Sequence, residues 1–443
     1  MPQRVKVIGG GLAGCEAAWQ LAQRGVEVDL YEMRPQRSTE AHETDRLAEL
    51  VCSNSFRSCE HTTAIGLLKD ELRALGSLVM TIADHHRGPA GSSLAVDRDG
   101  FAAAMTAAIE GCKAIRLHRE EIDEIPDGLV ILATGPLTSA ALASRLEQAF
   151  GGGRLYFYDA IAPIVTADSI DFDIAWRASR WGKGGDDYIN CPLDKEGYET
   201  FIDEVLAAEK VPLHSFERCV HFEGCLPIEE MAARGRQTLA FGPLKPVGLE
   251  DPRTPGRRSA AVVQLRQDDR EGRLYNMVGF QTKMTHPEQR RIFRTIPGLQ
   301  NAEFVRLGSL HRNTFVESPR LLRPTLQTRL RDDLLLAGQL IGVEGYLEST
   351  SAGWLAGINA ARLACGLPTV EAPASTSLGS LMRYVTEPTR REFQPVNANY
   401  GLFPPLVGRT RRGRERRLEY ARRALVDLEP FRDAALQGLP DAA

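Results

Sequence analysis

Val5-Lys6-Val7-Ile8-Gly9-Gly10-Gly11-Leu12-Ala13-Gly14 is the stretch that decides the fold. A short apolar strand runs into glycines at the G-x-G-x-x-G spacing, and an Ala/Leu-rich helix is expected over 17–24. Gly9 allows the tight turn, Gly11 lets the backbone approach a pyrophosphate, Gly14 lets helix and strand pack, and the helix N-terminus offers unpaired N–H groups to the anion. Glycines at this spacing also serve a plain βα turn. The continuation favours a dinucleotide: residues 26–32 read as a second strand ending in Glu32, about 20 residues on, where a ribose hydroxyl needs an acceptor.

The other properties bound the answer. A chain of 443 residues, 43% hydrophobic and 25% charged, has the composition of a globular enzyme of two or three domains. There is no apolar run near the ~20 residues needed to cross a bilayer, and the N-terminus enters a strand without a signal-peptide pattern, so a cytoplasmic protein with no membrane partner is expected. The eight cysteines form neither a C-x-x-C pair nor a grouping with histidine at zinc spacing, so no metal is expected. With a net charge of −4, any nucleic-acid binding must come from local basic patches.

Further along, Val51-Cys52-Ser53-Asn54-Ser55-Phe56-Arg57 sets a cysteine before residues that favour turns and caps. Cys52 reads either as a small buried residue at a helix end or as a thiol on a loop near the nucleotide. Residues 85–93 carry His85-His86 among breakers and read as a surface loop. Leu129 to Pro136 is a buried-strand pattern ending in Ala-Thr-Gly, and its Gly135 lets the chain turn sharply beside a nucleotide. From about residue 159 to 306 the βαβ rhythm gives way to short strands and helices, read as an inserted α+β domain. Within it, Gly224-Cys225-Leu226-Pro227 puts a cysteine just before a helix whose first position suits the proline. A thiolate there is favoured by the positive end of the helix dipole; a packed core cysteine is the other reading.

Leu334 to Tyr346 is the second organising stretch. An apolar strand enters a loop containing Gly338, Gln339, Gly342, Val343, Glu344 and Gly345, and a small-residue helix is expected from about residue 348 to 365. Such a helix N-terminus would stabilise the negative charge of a reduced flavin. The tail from Arg409 to Arg423 concentrates arginine, suited either to phosphates or to a solvated helix face.

Gly9–Glu16, Val51–Arg57, Gly224–Glu229, His311–Thr314 and Gly338–Ser349 together resemble the TrmFO family, the folate- and FAD-dependent tRNA (uracil-5-)-methyltransferases of the MnmG/GidA superfamily. The resemblance spans nearly the whole chain. It implies a Rossmann-like FAD-binding domain of the two-dinucleotide flavoprotein type, over 1–158 and 307–443, with the α+β insertion at 159–306 contributing to the substrate site. It also implies FAD as cofactor, 5,10-methylenetetrahydrofolate as carbon donor, NADPH or NADH as reductant, and 5-methyluridine in the T-loop of tRNA as product. FAD would be held by Gly9, Gly10, Gly11, Leu12, Ala13, Gly14, Glu32, Gly135, Gly338, Gln339, Gly342, Val343, Glu344 and Gly345. Cys225 would be the nucleophile on C6 of uracil and Cys52 the second thiol, roles that sequence leaves exchangeable. Three other readings stay open: an NAD(P)H-dependent flavin oxidoreductase, an RNA-binding flavoprotein, and an MnmG-like enzyme of the wobble uridine, whose relatives are longer. The oligomeric state is not legible.

Overall fold

The computed structural model describes residues 4–151, 155–211, 226–256, 258–388, 393–407 and 412–440; of residues 155–160 and 310–312 only the backbone is described. A five-stranded parallel sheet has the order Leu334–Leu336, Val130–Leu132, Val5–Ile8, Val28–Tyr31, Ile115–His118. Strand order therefore reverses between Val5–Ile8 and Val130–Leu132, and in such sheets a ligand lies outside the carboxyl ends of the strands at the reversal. All three residues of both Val130–Leu132 and Leu334–Leu336 are buried, as a sheet covered on both faces requires.

Helix Leu12–Ala22 crosses the long helix Tyr346–Ala364 on this sheet. Small residues let the two backbones touch: a Cβ added at Gly353 would fall 2.2 Å from the Ala13 carbonyl oxygen, and one at Gly357 2.8 Å from that of Ala17. The first helix begins at Leu12, five residues before the periodicity suggests, and the long helix at Tyr346 rather than 348.

A second sheet, antiparallel and six-stranded, has the order Trp176–Arg177, Tyr188–Leu193, Ala261–Gln267, Leu274–Met277, Ile164–Thr166, Phe304–Arg306. It builds its own core, drawn from residues 162–302, whereas the core around the parallel sheet is drawn from 5–146 and 322–435. The chain passes between them through Leu155–Ala160 and Leu310–Phe315, which pair antiparallel.

Of the two readings of Cys52 the loop holds, and one other local expectation is corrected. Residues 47–54 form bends and turns, not a helix end, and run into strand Ser55–Ser58. The stretch 85–93 is not all loop: His85 ends helix Leu78–His85, and Arg87–Gly88 pairs with Ser93–Val96. The arginine tail enters helix Gly413–Leu436, and residues 412–418, from its N-cap through its first turns, are all exposed. Among the described residues no helix is long and apolar enough to cross a membrane.

Candidate functional site

A cleft with about 1050 Å³ of empty volume, part of it open to solvent, lies at the strand reversal. Gly9, Gly10, Gly11, Leu12, Ala13, Glu32, Gly135, Gly338 and Gln339 all line it. Gly9 has φ +107°, and a Cβ there would meet the Ala133 carbonyl oxygen at 2.4 Å. A Cβ at Gly14 would fall 1.8 Å from the Gly9 carbonyl oxygen, so Gly14 serves packing behind the cleft. Gly11 differs, because a Cβ there meets nothing within 4 Å. Its backbone is an ordinary extended one, φ −77° and ψ −172°. Helix Leu12–Ala22 starts at Gly11 with no side-chain cap, leaving its first N–H groups open to the cleft.

Glu32 sits at the end of the second strand. Its Oε2 accepts from the Gly10 N–H at 3.0 Å, and its Oε1 accepts from Arg34 Nε at 2.9 Å and the Arg34 N–H at 3.0 Å. Burial pushes the Glu32 carboxyl upward, but the Arg34 guanidinium and these N–H groups outweigh it and hold the group below the usual carboxylate range. Arg34 also donates to Glu49 Oε2 at 3.0 Å. Beside them His42 is pushed down to about 4 by burial and by the charge of Arg34, so the ring is neutral at physiological pH, with its Nδ1 2.6 Å from Thr39 Oγ1.

The thiol site adjoins the cleft through Val51 and Tyr346, both of which line it. The Tyr346 hydroxyl oxygen accepts from the backbone N–H of Cys52 at 3.0 Å and of Ser53 at 3.1 Å, and lies 3.0 Å from Cys52 Sγ. A phenol oxygen has two lone pairs, and both are taken by N–H donors. The hydroxyl proton is left for the sulfur, so Cys52 Sγ is the acceptor. Burial, reinforced by the charge of Cys52, pushes the Tyr346 phenol well above its ordinary value, which keeps that proton in place.

The Cys-Ser-Asn-Ser sequence explains how the loop is held. Asn54 is buried and donates to the carbonyls of Val96 at 3.0 Å and of Gln267, at the end of a strand of the antiparallel sheet, at 2.9 Å. Arg266 donates to Asn54 Oδ1 at 2.9 Å and Ser53 Oγ at 2.8 Å. Arg98, paired with Asp268 at 3.0 Å, donates to the Leu50 carbonyl. The guanidinium groups of Arg98, Arg266 and Arg306 all interact electrostatically with Cys52, a surrounding that favours thiolate.

Gly342, Val343, Glu344 and Gly345 do not line the cleft. Glu344 Oε2 accepts from Gln339 Nε2 at 3.0 Å, and the Glu344 N–H donates to Val396 at 2.7 Å, so this segment positions the turn that does. Cys225 lies outside the described residues. Pro227 proves to be the residue before helix Ile228–Ala233, not its first position. The side chains of His311 and Arg312 are likewise not described. Sequence reasoning missed Arg34, His42, Arg98, Arg266, Arg306 and Tyr346, of which only Tyr346 carried a local signal, as the first residue after a glycine-rich turn.

FAD fits this cleft on one observation. Gly11 is glycine where no protein atom demands it, which close approach of a ligand explains.

Comparison with known proteins follows the same lines. The family described as glucose inhibited division protein A matches residues 4–368. The methylenetetrahydrofolate--tRNA-(uracil-5-)-methyltransferase TrmFO of Geobacter sulfurreducens is 60% identical over 431 residues, 97% of this chain and 99% of that protein. Proteins of the same name from Citrifermentans bemidjiense and an Exiguobacterium species are 58% and 53% identical, over 97% and 98% of this chain and 99% and 100% of theirs. Among solved structures, Aquifex aeolicus GidA in its form II crystal superposes with a TM-score of 0.69 at 18% identity, covering 97% of this chain and 73% of that one, a likeness of fold. The chain belongs to the glucose inhibited division protein A family.

Proposed function

We propose that this protein methylates a uridine of tRNA at C5, taking the carbon from 5,10-methylenetetrahydrofolate and using FAD reduced by NADPH or NADH. The observation that carries this reading is the 60% identity, along 97% of the chain, to a relative named for that reaction. The target is the T-loop uridine, extruded from the tRNA elbow to reach the site. The reaction belongs to the cytoplasm, where its substrates are.

Gly9 to Ala13 and the open start of helix Leu12–Ala22 would hold the pyrophosphate of FAD, Glu32 a ribose hydroxyl, and Gly338, Gln339 and the start of helix Tyr346–Ala364 the ring end. Reduced FAD supplies the hydride that takes a folate-level methylene to methyl. The remaining steps belong to the chain. C5 of uracil is a poor nucleophile until a thiolate adds to C6: the Cys225 S–C6 bond forms and the C5–C6 π electrons pass to the O4 enolate. C5 then attacks the one-carbon unit, a base takes the C5 proton as the bond from that carbon to the folate nitrogen breaks and tetrahydrofolate leaves, and once the exocyclic carbon has gained its hydride, loss of the Cys225 thiolate restores the C5–C6 double bond. Cys52, held as a hydrogen-bond acceptor by Tyr346 and surrounded by guanidinium groups, is that base. The unit at 159–306 completes the substrate site by supplying Cys225.

A tRNA transcript containing 5-fluorouridine separates the two thiols, since fluorine at C5 blocks the final proton removal. Wild type and Cys52→Ala are expected to form an adduct that survives denaturing electrophoresis, whereas Cys225→Ala stays yellow with FAD and forms none. A normal adduct in Cys225→Ala would contradict the assignment.

A further inference from the structure

Trp181 is 66% exposed, an uncommon place for an indole. Its backbone is left-handed, with φ 61° and ψ 22°, a strained conformation for a bulky residue. The surroundings hold it there. The Trp181 N–H donates to the Gly248 carbonyl at 2.8 Å, and a Cβ at Gly248 would lie 2.5 Å from indole Cε2, 2.7 Å from Cδ2 and 2.8 Å from Nε1. One ring face therefore rests on the Gly248 backbone, and the exposure belongs to the rest of the ring. Arg180 fixes this shelf by donating to the Val247 carbonyl and, at 3.0 Å, to Gln264 Oε1. Neither the strain nor the exposed indole stabilises the free protein.

The position points to the thiol site. Gln264 and Arg266 are two residues apart on strand Ala261–Gln267 and so share a face of the sheet. Gln264 anchors the Trp181 shelf, while Arg266 holds Ser53 and Asn54 beside Cys52. The flank is basic. Lys183 pairs with Glu60, which Lys183, with a contribution from Arg414, holds below the usual carboxylate range. Arg414 belongs to the exposed arginines 412, 414, 416 and 417 at the start of helix Gly413–Leu436. An aromatic face beside cations is how proteins hold unpaired nucleotides, by stacking on the base and pairing with the phosphates.

We propose that Trp181 is a stacking platform for an unpaired base of the tRNA substrate, with the arginines of 412–417 on its phosphate side. This rests on the tRNA reading above. Filter binding of the holoenzyme to a tRNA transcript is expected to give Trp181→Ala a Kd raised about tenfold, with Trp181→Phe restoring most of it. NAD(P)H oxidation without tRNA should stay within about twofold of wild type in both variants, since no step there touches the platform. Arg416→Ala/Arg417→Ala is expected to weaken binding and flatten its salt dependence. An unchanged Kd in Trp181→Ala, or a changed oligomeric state showing that the indole meets a second copy, would overturn the proposal. Methylation assays separate this from the parent reading: wild type that binds tRNA but makes no 5-methyluridine contradicts the reaction, not the platform.

Discussion

Tyr346→Phe is expected to lower kcat for tRNA methylation by about 10²-fold while FAD stays bound. The substitution removes one oxygen and keeps the ring, which packs edge-on against Phe56 at 5.7 Å. That oxygen is the acceptor for the Cys52 and Ser53 N–H groups and, by elimination, the donor to Cys52 Sγ. Without it the half-buried loop loses two satisfied N–H groups, at about 1–3 kcal/mol each where water cannot replace them, and the sulfur loses the donor that favours its proton-accepting form. The effect reaches the chemistry through Cys52, so a second measurement distinguishes it from simple loosening. Alkylation of Cys52 by iodoacetamide at pH 7, followed by peptide mass spectrometry, should slow about tenfold, because the thiolate is the reacting species. Unchanged kcat together with unchanged alkylation would remove Cys52 and Tyr346 from the mechanism.

Two glycine substitutions in one motif are expected to fail in different ways. Gly14→Ala drives a methyl to 1.8 Å from the Gly9 carbonyl oxygen, a backbone atom that cannot turn aside. It should destabilise the fold by about 3 kcal/mol or more. Gly11→Ala meets no atom within 4 Å and keeps an allowed backbone, so its thermal stability without FAD should stay within about 1 kcal/mol of wild type. Its FAD affinity should nevertheless drop about 100-fold or more, since the added methyl occupies the path of the pyrophosphate. Denaturation curves and FAD release followed by absorbance test both. A Gly11→Ala protein that holds FAD as tightly as wild type would show that the phosphates lie elsewhere.

The contrast between these glycines marks how far the sequence could be read. Strand Val5–Ile8, Gly9, Gly10, Gly11 and Glu32 are close neighbours in the chain, so spacing alone placed them at one cleft, with Gly14 packing behind it. Residues 342–345 stand outside the cleft lining, and in sequence a glycine-rich turn looks the same whether it touches a ligand or supports the residues that do. Cys52 was legible as an unusual residue, but its surroundings were not. Tyr346 lies 294 positions from it in sequence and Arg266 lies 213 from Ser53, and only the folded chain brings them together. Trp181 gave no sequence signal of its own, because an aromatic among glycines is compatible with either a core or a surface.

The central claim is that this protein moves a carbon from folate onto uracil C5 in tRNA. The most direct test supplies holoenzyme with an unmodified tRNA transcript, NAD(P)H and 5,10-methylenetetrahydrofolate labelled in the methylene carbon, then measures the nucleosides by mass spectrometry. Labelled 5-methyluridine, formed only when folate and reductant are both present, is the expected result. Steady NAD(P)H consumption with every uridine left unmethylated would contradict it.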